Sequence, residues 1–416
     1  MTEAWDIALP GLGRLLRVQE APEVVEALGQ ALPGWPLAIA RARGLAPAIR
    51  LRRSRGGYLQ RSPQLPRGLE LPTPASAVCS LIADLGGERF ERATGLLGLH
   101  CASVEVGGRL VLFPESHRAG KSTLAVAFAV AGYRLFGDDV LGLTREGCGV
   151  ALGIAPRLRL PLPETLAPEL ADYAEVHAGP EDARYRFVLP PGNALARHGE
   201  QGPVGALVLL ERDDQRRAPE VVRLLPGEGL LQLLAQNFAH HAAPETLMAH
   251  LLPLMERVPC LLLRYAEPLA AARHLGAVLE AVEGEVGGNE DGGNAKSKAG
   301  HDGIGAVCHA GALARRDAVP VNGPFPATRR WMAAREVRGY PLGHELFLIQ
   351  PASGVIHRLN PTGEAVWRLL CQEPLTGREL GELLGEHFDE PLASVTEDVC
   401  RLLAGLADAG LLTAAE

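Results

Sequence analysis

Residues 110–128 read LVLFPESHRAGKSTLAVAF, and the fold turns on how this stretch is read. An apolar run closes at Pro114. Gly120-Lys121-Ser122-Thr123 then opens a second apolar run with helical spacing. Strand, turn and helix in that order, with Gly-Lys-Ser at the junction, make the closing half of a phosphate-binding loop. In such a loop backbone N–H groups wrap a polyphosphate, and the helix N-terminus adds its partial positive charge. The opening half departs from the pattern G-x-x-x-x-G-K-[ST], because Glu115 stands where the first glycine belongs.

The use of lysine supports the phosphate reading. Lys121, Lys296 and Lys298 are the only lysines in the chain, so Lys121 is the sole lysine of the first 295 residues. A chain that uses arginine elsewhere has a compact ammonium at the loop, where a planar guanidinium would fit less well. The cradle predicted from this reading comprises Ser116, His117, Arg118, Ala119, Gly120, Lys121, Ser122 and Thr123. Lys121 would neutralise the β- and γ-phosphates, and Ser122 or Thr123 would offer a hydroxyl to magnesium. Downstream, YRLFGDDVLGLT (133–144) predicts a strand bearing the adjacent acids Asp138 and Asp139. One would hold magnesium, directly or through water, and the other would take the proton from an attacking hydroxyl. The plain alternative is an ordinary helix start and an ordinary acidic turn. It leaves the lone lysine and the acid pair unexplained.

The whole chain has 416 residues, enough for two or three domains, and a net charge of −8 that offers no general attraction to nucleic acid or anionic lipid. No apolar run approaches the roughly 20 residues of a membrane span. The start, MTEAWDIALPGLGRLL, lacks the charge pattern of a signal peptide. Seven scattered cysteines without a C-x-x-C pair argue for reduced thiols in the cytoplasm and against structural zinc.

Composition changes at residues 283–330, where EGEVGGNEDGGNAKSKAGHDGIGAV (283–307) is glycine-rich and aperiodic and predicts a flexible linker. It divides a large N-terminal part from a module at 331–416, which holds six arginines against thirteen acids. In the large part, residues 1–85 read as a mixed lead-in. HCASVEV (100–106) and RLVLF (109–113) read as strands around a Gly107-Gly108 turn, followed by a helix from Lys121 to about Ala131 that Gly132 ends. VGALVLLER (204–212) predicts a further buried strand, and LLQLLAQNFAHHA (230–242) a helix. His240-His241 are polar residues at a helix end, Cys308-His309 lie in the linker, and the basic run 41–55 is a solvated face.

Residues 98–143, GLHCASVEVGG through GDDVLGL, resemble the core of the HPr serine kinases and their relatives. The shared pattern is a histidine on the strand before the phosphate loop, the loop itself, a glycine-ended helix and an Asp-Asp pair. His100, Lys121, Ser122, Asp138 and Asp139 fall on it. ALGIAPRLRLP (151–161) and LLAQNF (233–238) are weaker matches within a likeness spanning about 95–245. The resemblance implies an α/β fold with a phosphoenolpyruvate-carboxykinase-like P-loop core over 86–282, Mg-ATP as cofactor, and transfer to a serine hydroxyl. It makes Asp138 the base, Lys121 and His100 its catalytic partners, and Ser122 and Asp139 the magnesium ligands. Glu115 and Arg118 replace glycines of the family, and His117 a small residue. The family's arginine-bearing signature for its protein substrate has only Arg157 and Arg159 as candidates here, so HPr itself is not the expected substrate.

The C-terminal module reads HELFLIQPASGVIHRLNPTGEAVWRLL (344–370), two strands around a turn and then a helix capped by Asn360 with Pro361 at its first position. Two amphipathic stretches, 375–388 and 394–412, complete a small α+β, winged-helix-like domain. Acids on its last helix disfavour DNA. Leu359-Asn360, Gly363, Trp367 and LADAGLL (406–412) resemble the PqqD family of peptide-recognition domains. That resemblance implies that a leader peptide adds as a strand beside Val355, Ile356, His357, Arg358 and Leu359 and packs on the helix from about 394 to 409.

Together these readings predict an ATP-dependent kinase of a ribosomally made precursor peptide. The acceptor would be a serine or threonine hydroxyl, or a terminal carboxylate, and the leader would be held by the PqqD-like module. A non-catalytic peptide-binding adaptor with a degenerate nucleotide site is the main alternative. A small-molecule kinase with a regulatory domain is a third. GTP or pyrophosphate could replace ATP, and assembly into a homo-oligomer is compatible with each reading.

Overall fold

Alternating apolar residues near the N-terminus build the first layer, seen in a computed structural model that describes residues 3–114, 120–238, 242–285, 305–309, 327–388 and 391–415. Strands β1 (Ala4–Leu9), β2 (Gly13–Gln19), β3 (Ala38–Arg41), β4 (Ile49–Ser54), β5 (Gly57–Arg61) and β6 (Leu69–Leu71) form one sheet in the order β3-β1-β2-β4-β5-β6. Ile7, Leu16, Val18, Ile49 and Leu51 are fully buried on one face, while Arg50, Arg52 and Arg61 stand exposed on the other, the period of two that a half-buried strand requires. Helices α1 (Pro22–Ala31) and α2 (Pro74–Arg92) contribute Val24, Leu28, Val78 and Leu81 to the same core. A reciprocal cap starts α2: the Ser76 amide donates to the Thr73 hydroxyl (3.1 Å) and the Thr73 amide to the Ser76 hydroxyl (3.0 Å). The helix runs through residue 85, and its core also takes in Leu152, Ile154 and Phe187. The lead-in thus shares a core with the layer that follows it.

That layer is a mixed sheet of β7 (Leu96–Leu99), β8 (Cys101–Val106), β9 (Arg109–Pro114), β10 (Arg134–Gly137), β11 (Leu141–Thr144), β12 (Cys148–Val150), β16 (Gln201–Arg212), β17 (Glu220–Leu224) and β18 (Cys260–Tyr265). Its order is β10-β8-β9-β16-β12-β11-β7, with β18 parallel to β16 and β17 antiparallel to β18. The β8–β9 hairpin turns at Gly107 and Gly108, both at positive φ, as the sequence predicts. Helix α3 (Lys121–Val130) is buried along Leu124–Phe128 and packs on β8, α4 (Pro168–Val176) and α7 (Pro268–Glu285). A three-stranded sheet, β13 (Arg157–Arg159), β15 (Tyr185–Val188) and β14 (Ala178–Glu181), lies beside it in that order, and α5 (Pro226–Ala235) packs on β16 and β18.

Two sequence expectations are corrected here. Residues 133–144 are two strands, not one, because a Cβ on Gly137 would come within 2.7 Å of the Val140 carbonyl and the chain turns sharply there. The helix expected over 230–242 ends at Ala235, where the Asn237 amide side chain donates to the Leu234 carbonyl (2.6 Å) and competes with continuation.

The chain divides into two compact units, Met1–Ala239 with Arg257–Asn289, and His240–Glu256 with Glu290–Glu416. In the second, β19 (Gly305–His309), β21 (Arg338–Leu342), β22 (Glu345–Gln350) and β23 (Val355–Leu359) form a sheet in the order β19-β23-β22-β21. A smaller sheet orders β24 (Leu375–Thr376), β20 (Arg330–Ala333) and β25 (Leu412–Ala414). Helices α8 (Pro361–Gln372), α9 (Gly377–Phe388) and α10 (Leu392–Asp408) close a core of Leu348, Leu359, Trp367, Leu380, Leu403 and Leu406, while α6 (Pro244–Met255) belongs to the same unit. Asn360 caps α8 by accepting from the Gly363 amide (2.8 Å). Strands β21 and β19 were not foreseen, and β19 falls inside the stretch read as linker. Among the described residues no helix is long and apolar enough to cross a membrane.

Candidate functional site

Gly120 sets the geometry at the start of α3. It is the N-cap at φ +80°, a left-handed conformation glycine adopts without strain, and a Cβ there would stand 3.1 Å from the Tyr265 hydroxyl. The helix that follows presents Lys121, 9% exposed, and Ser122 in its first turn. Thr123 is partly buried in the same turn. The expectations at Glu115, Ser116, His117, Arg118 and Ala119 lie outside the described residues, as do those at His240 and His241.

Four of the residues singled out from the sequence meet around one carboxylate. Asp139 Oδ1 lies 2.8 Å from His100 Nε2 and accepts from Lys121 Nζ at 3.3 Å. Its other oxygen accepts from the Arg157 guanidinium at 3.2 Å. Asp138 is 5% exposed and accepts from the Arg157 backbone amide at 3.0 Å, while its Oδ1 is buried without a hydrogen-bond partner. The break at Gly137 explains how both acids face one place. Neighbours on a regular strand would point to opposite faces.

The two acids are driven apart electrostatically. Burial, reinforced by the Asp139 charge, pushes the Asp138 carboxyl above its ordinary value against the pull of Lys121, the Arg157 amide and the Ser122 hydroxyl. Burial also works against the Asp139 charge, but the His100 hydrogen bond and the charges of Lys121, His100 and Arg157 outweigh it. They hold Asp139 well below the usual carboxylate range. One carboxylate is thus fixed as an anion, and its neighbour has a buried, unpartnered oxygen and raised proton affinity. That separation is what acid–base chemistry uses. Ser122 and the two acids are hard oxygen donors of the kind magnesium takes alongside substrate phosphates, and the unpartnered Asp138 oxygen is compatible with such a ligand set.

Sequence reasoning missed the supports. Arg157 is held by its bond to Asp139 and by the Tyr185 ring 4.8 Å from its guanidinium carbon. Arg159, the other arginine considered, is exposed. His100 is fixed by its amide, which donates to the Gln236 carbonyl at 2.7 Å, and by the Phe238 ring, whose centroid is 6.0 Å away. The LLAQNF segment therefore acts as a backrest for His100. Its signal in the sequence is the short motif alone.

In the second unit, Val355, Ile356, His357 and Leu359 are buried, and Arg358 is paired with the buried Glu345. Strand β23 lies between β19 and β22, so its side chains are turned into the module and its backbone is flanked on both sides. The register with β22 runs from Leu346↔Leu359 to Gln350↔Val355.

Residues 345–412 match the family described as Coenzyme PQQ synthesis protein D (PqqD). No curated protein matches the chain. Among solved structures, the Hpr(Ser) kinase/phosphatase from Coxiella burnetii is similar at 15% identity and a TM-score of 0.23, over 45% of this chain and 93% of that one. At its C-terminal end, over residues 345–412, the chain carries a PqqD domain.

Proposed function

We propose that the first unit is an ATP-dependent kinase acting on a hydroxyl of a ribosomally made precursor peptide, and that the PqqD domain holds the leader of that peptide. The observation that carries the reading is the divided acid pair. Asp138 has a buried, unpartnered oxygen and raised proton affinity, and Asp139 is locked as an anion between His100, Lys121 and Arg157. Asp138 accepts the proton of the attacking hydroxyl. Lys121 and the amides at the start of α3 receive the nucleotide phosphates, with Ser122 and Asp139 as the residues that would hold magnesium. Magnesium supplies charge neutralisation on the phosphates when bound. Arg157 keeps both acids in place through its side chain and its amide. Leader capture by strand addition would use the side of β23 opposite β22, which β19 occupies in the structure.

One observation favours the adaptor reading. Lys121 already has a carboxylate partner in Asp139, so its charge is balanced without a phosphate. Calorimetric titration of the full chain with ATP, GTP and pyrophosphate in magnesium separates the two. Saturable heat with any of them supports the nucleotide site. No heat with all three removes the kinase and leaves the adaptor.

A further inference from the structure

The edge of β23 that a leader would take is already paired. Strand β19 runs antiparallel to it, with Gly305↔Arg358, Cys308↔Ile356 and His309↔Val355, and β22 holds the opposite side. A sheet edge is a row of N–H and C=O groups that any extended chain can satisfy. Here Gly305, Cys308 and His309 of the protein's own chain pair along it. From this pairing we infer that Gly305–His309 is a resident occupant of the peptide-binding edge, which a leader must displace before it can bind. The inference rests on the reading of β23 as the leader site.

Three features suit the segment to that role. Its pairing is short and irregular, with a register shift between Gly305 and Cys308, so few ladder bonds oppose its release. Its sequence, GAVCH, has one β-branched residue and no Asp, Glu, Lys or Arg, which makes it a weak strand former. It is also tethered on both sides: nineteen residues separate it from Glu285 and seventeen from Ala327. A tether of this length gives an effective concentration on the order of millimolar, enough for a weak strand to occupy the edge most of the time.

The consequence is competition. The apparent dissociation constant of a leader equals its intrinsic value divided by the fraction of molecules with the edge open. An edge that is open about one-tenth of the time weakens leader binding roughly tenfold. Peptides without a well-matched leader are then excluded, and the bare edge is protected from pairing with other chains.

The test uses the full-length protein and a labelled synthetic peptide copying residues 301–313, kept reduced. Cys308→Pro removes the backbone N–H and fixes φ at a position of β19 that pairs with Ile356. A second variant replaces 305–309 with Gly-Ser sequence, so the outcome does not depend on one substitution. Both variants are expected to bind the labelled peptide at least tenfold more tightly than the unaltered chain, with amide exchange at Val355–Leu359 slowing when it binds. Equal affinity for all three proteins, or no binding to any, overturns the inference. A leader peptide is then added as competitor. Displacement of the label supports the shared edge, with the leader binding both variants about tenfold more tightly than the unaltered chain. If the 301–313 peptide binds the variants and no leader displaces it, β19 occupies the edge but the leader-site reading fails.

Discussion

Lys121 has 9% exposure and a single described carboxylate within bonding distance, so its removal has a specific signature. Lys121→Ala is expected to weaken Mg-ATP binding by about 2–3 kcal/mol, roughly 30- to 150-fold, because a charged phosphate contact is lost in a closed site. Calorimetric titration measures this. Asp138→Asn should leave nucleotide affinity within several-fold and abolish phosphotransfer, since an amide cannot accept the proton. Asp139→Asn should lower the rate and the response to magnesium together; equal, modest losses from both changes would mean that the acids are structural. The raised proton affinity of Asp138 also fixes a direction in pH. The acidic limb of the rate profile should lie above the ordinary carboxylate value, with activity gained as pH rises and the pair loses its proton. An acidic limb at or below that value would contradict the assignment of Asp138 as base. Lys121, Asp138 and Asp139 are legible in the sequence from the loop motif and the adjacent acids, and His100 from the family resemblance. Arg157 is legible only as a candidate for substrate recognition; its place beside the acids, like the positions of Tyr185 and Tyr265, comes from packing between elements.

Individual elements add their own tests. In the first sheet Asp6 on β1 is buried and accepts from Arg17 Nε at 2.7 Å, from Arg14 at 2.8 Å and from the Arg43 amide at 3.2 Å. The hydrogen bond from Arg17 leads in lowering its pKa to about 2, against the opposing effect of burial. Because the folded value is depressed, the stabilisation is present above the unfolded value near 3.8 and is lost as pH falls through about 2. Asp6→Asn is therefore expected to cost about 2 kcal/mol at neutral pH, a difference that shrinks toward pH 2. Denaturant unfolding at pH 7 and pH 3 reads it, and an equal loss at both would show that the ion pairs are not its source. Ile356→Pro is a poor probe of the peptide edge, because Ile356 is 1% exposed with β22 on its other side and the change would disrupt the module itself. The β8–β9 turn, the limits of α3 and the cap of α8 follow from the sequence, since each depends on residues a few positions apart. The break between β10 and β11 depends on Gly137 against the Val140 carbonyl, and β19 on pairing with a strand some fifty residues away. Neither leaves a periodic signal.

At the scale of the whole molecule, a site with a divided acid pair and a PqqD domain occur on one chain, and residues 283–330 contain the strand that pairs with β23. The functional claim is that leader capture in one unit raises the local concentration of an acceptor hydroxyl for the other. Removing the leader from the substrate should therefore raise the peptide concentration needed for reaction and leave ATP affinity unchanged. The most direct test incubates the full-length protein with Mg-ATP and candidate precursor peptides translated from short reading frames neighbouring its gene, with and without their leaders, and follows the product by mass spectrometry. The expected result is one added phosphate, formed at far lower concentration of the leader-bearing peptide and absent with Asp138→Asn. Tight leader binding with no phosphate added under ATP, GTP or pyrophosphate would contradict the kinase and leave a peptide-binding adaptor.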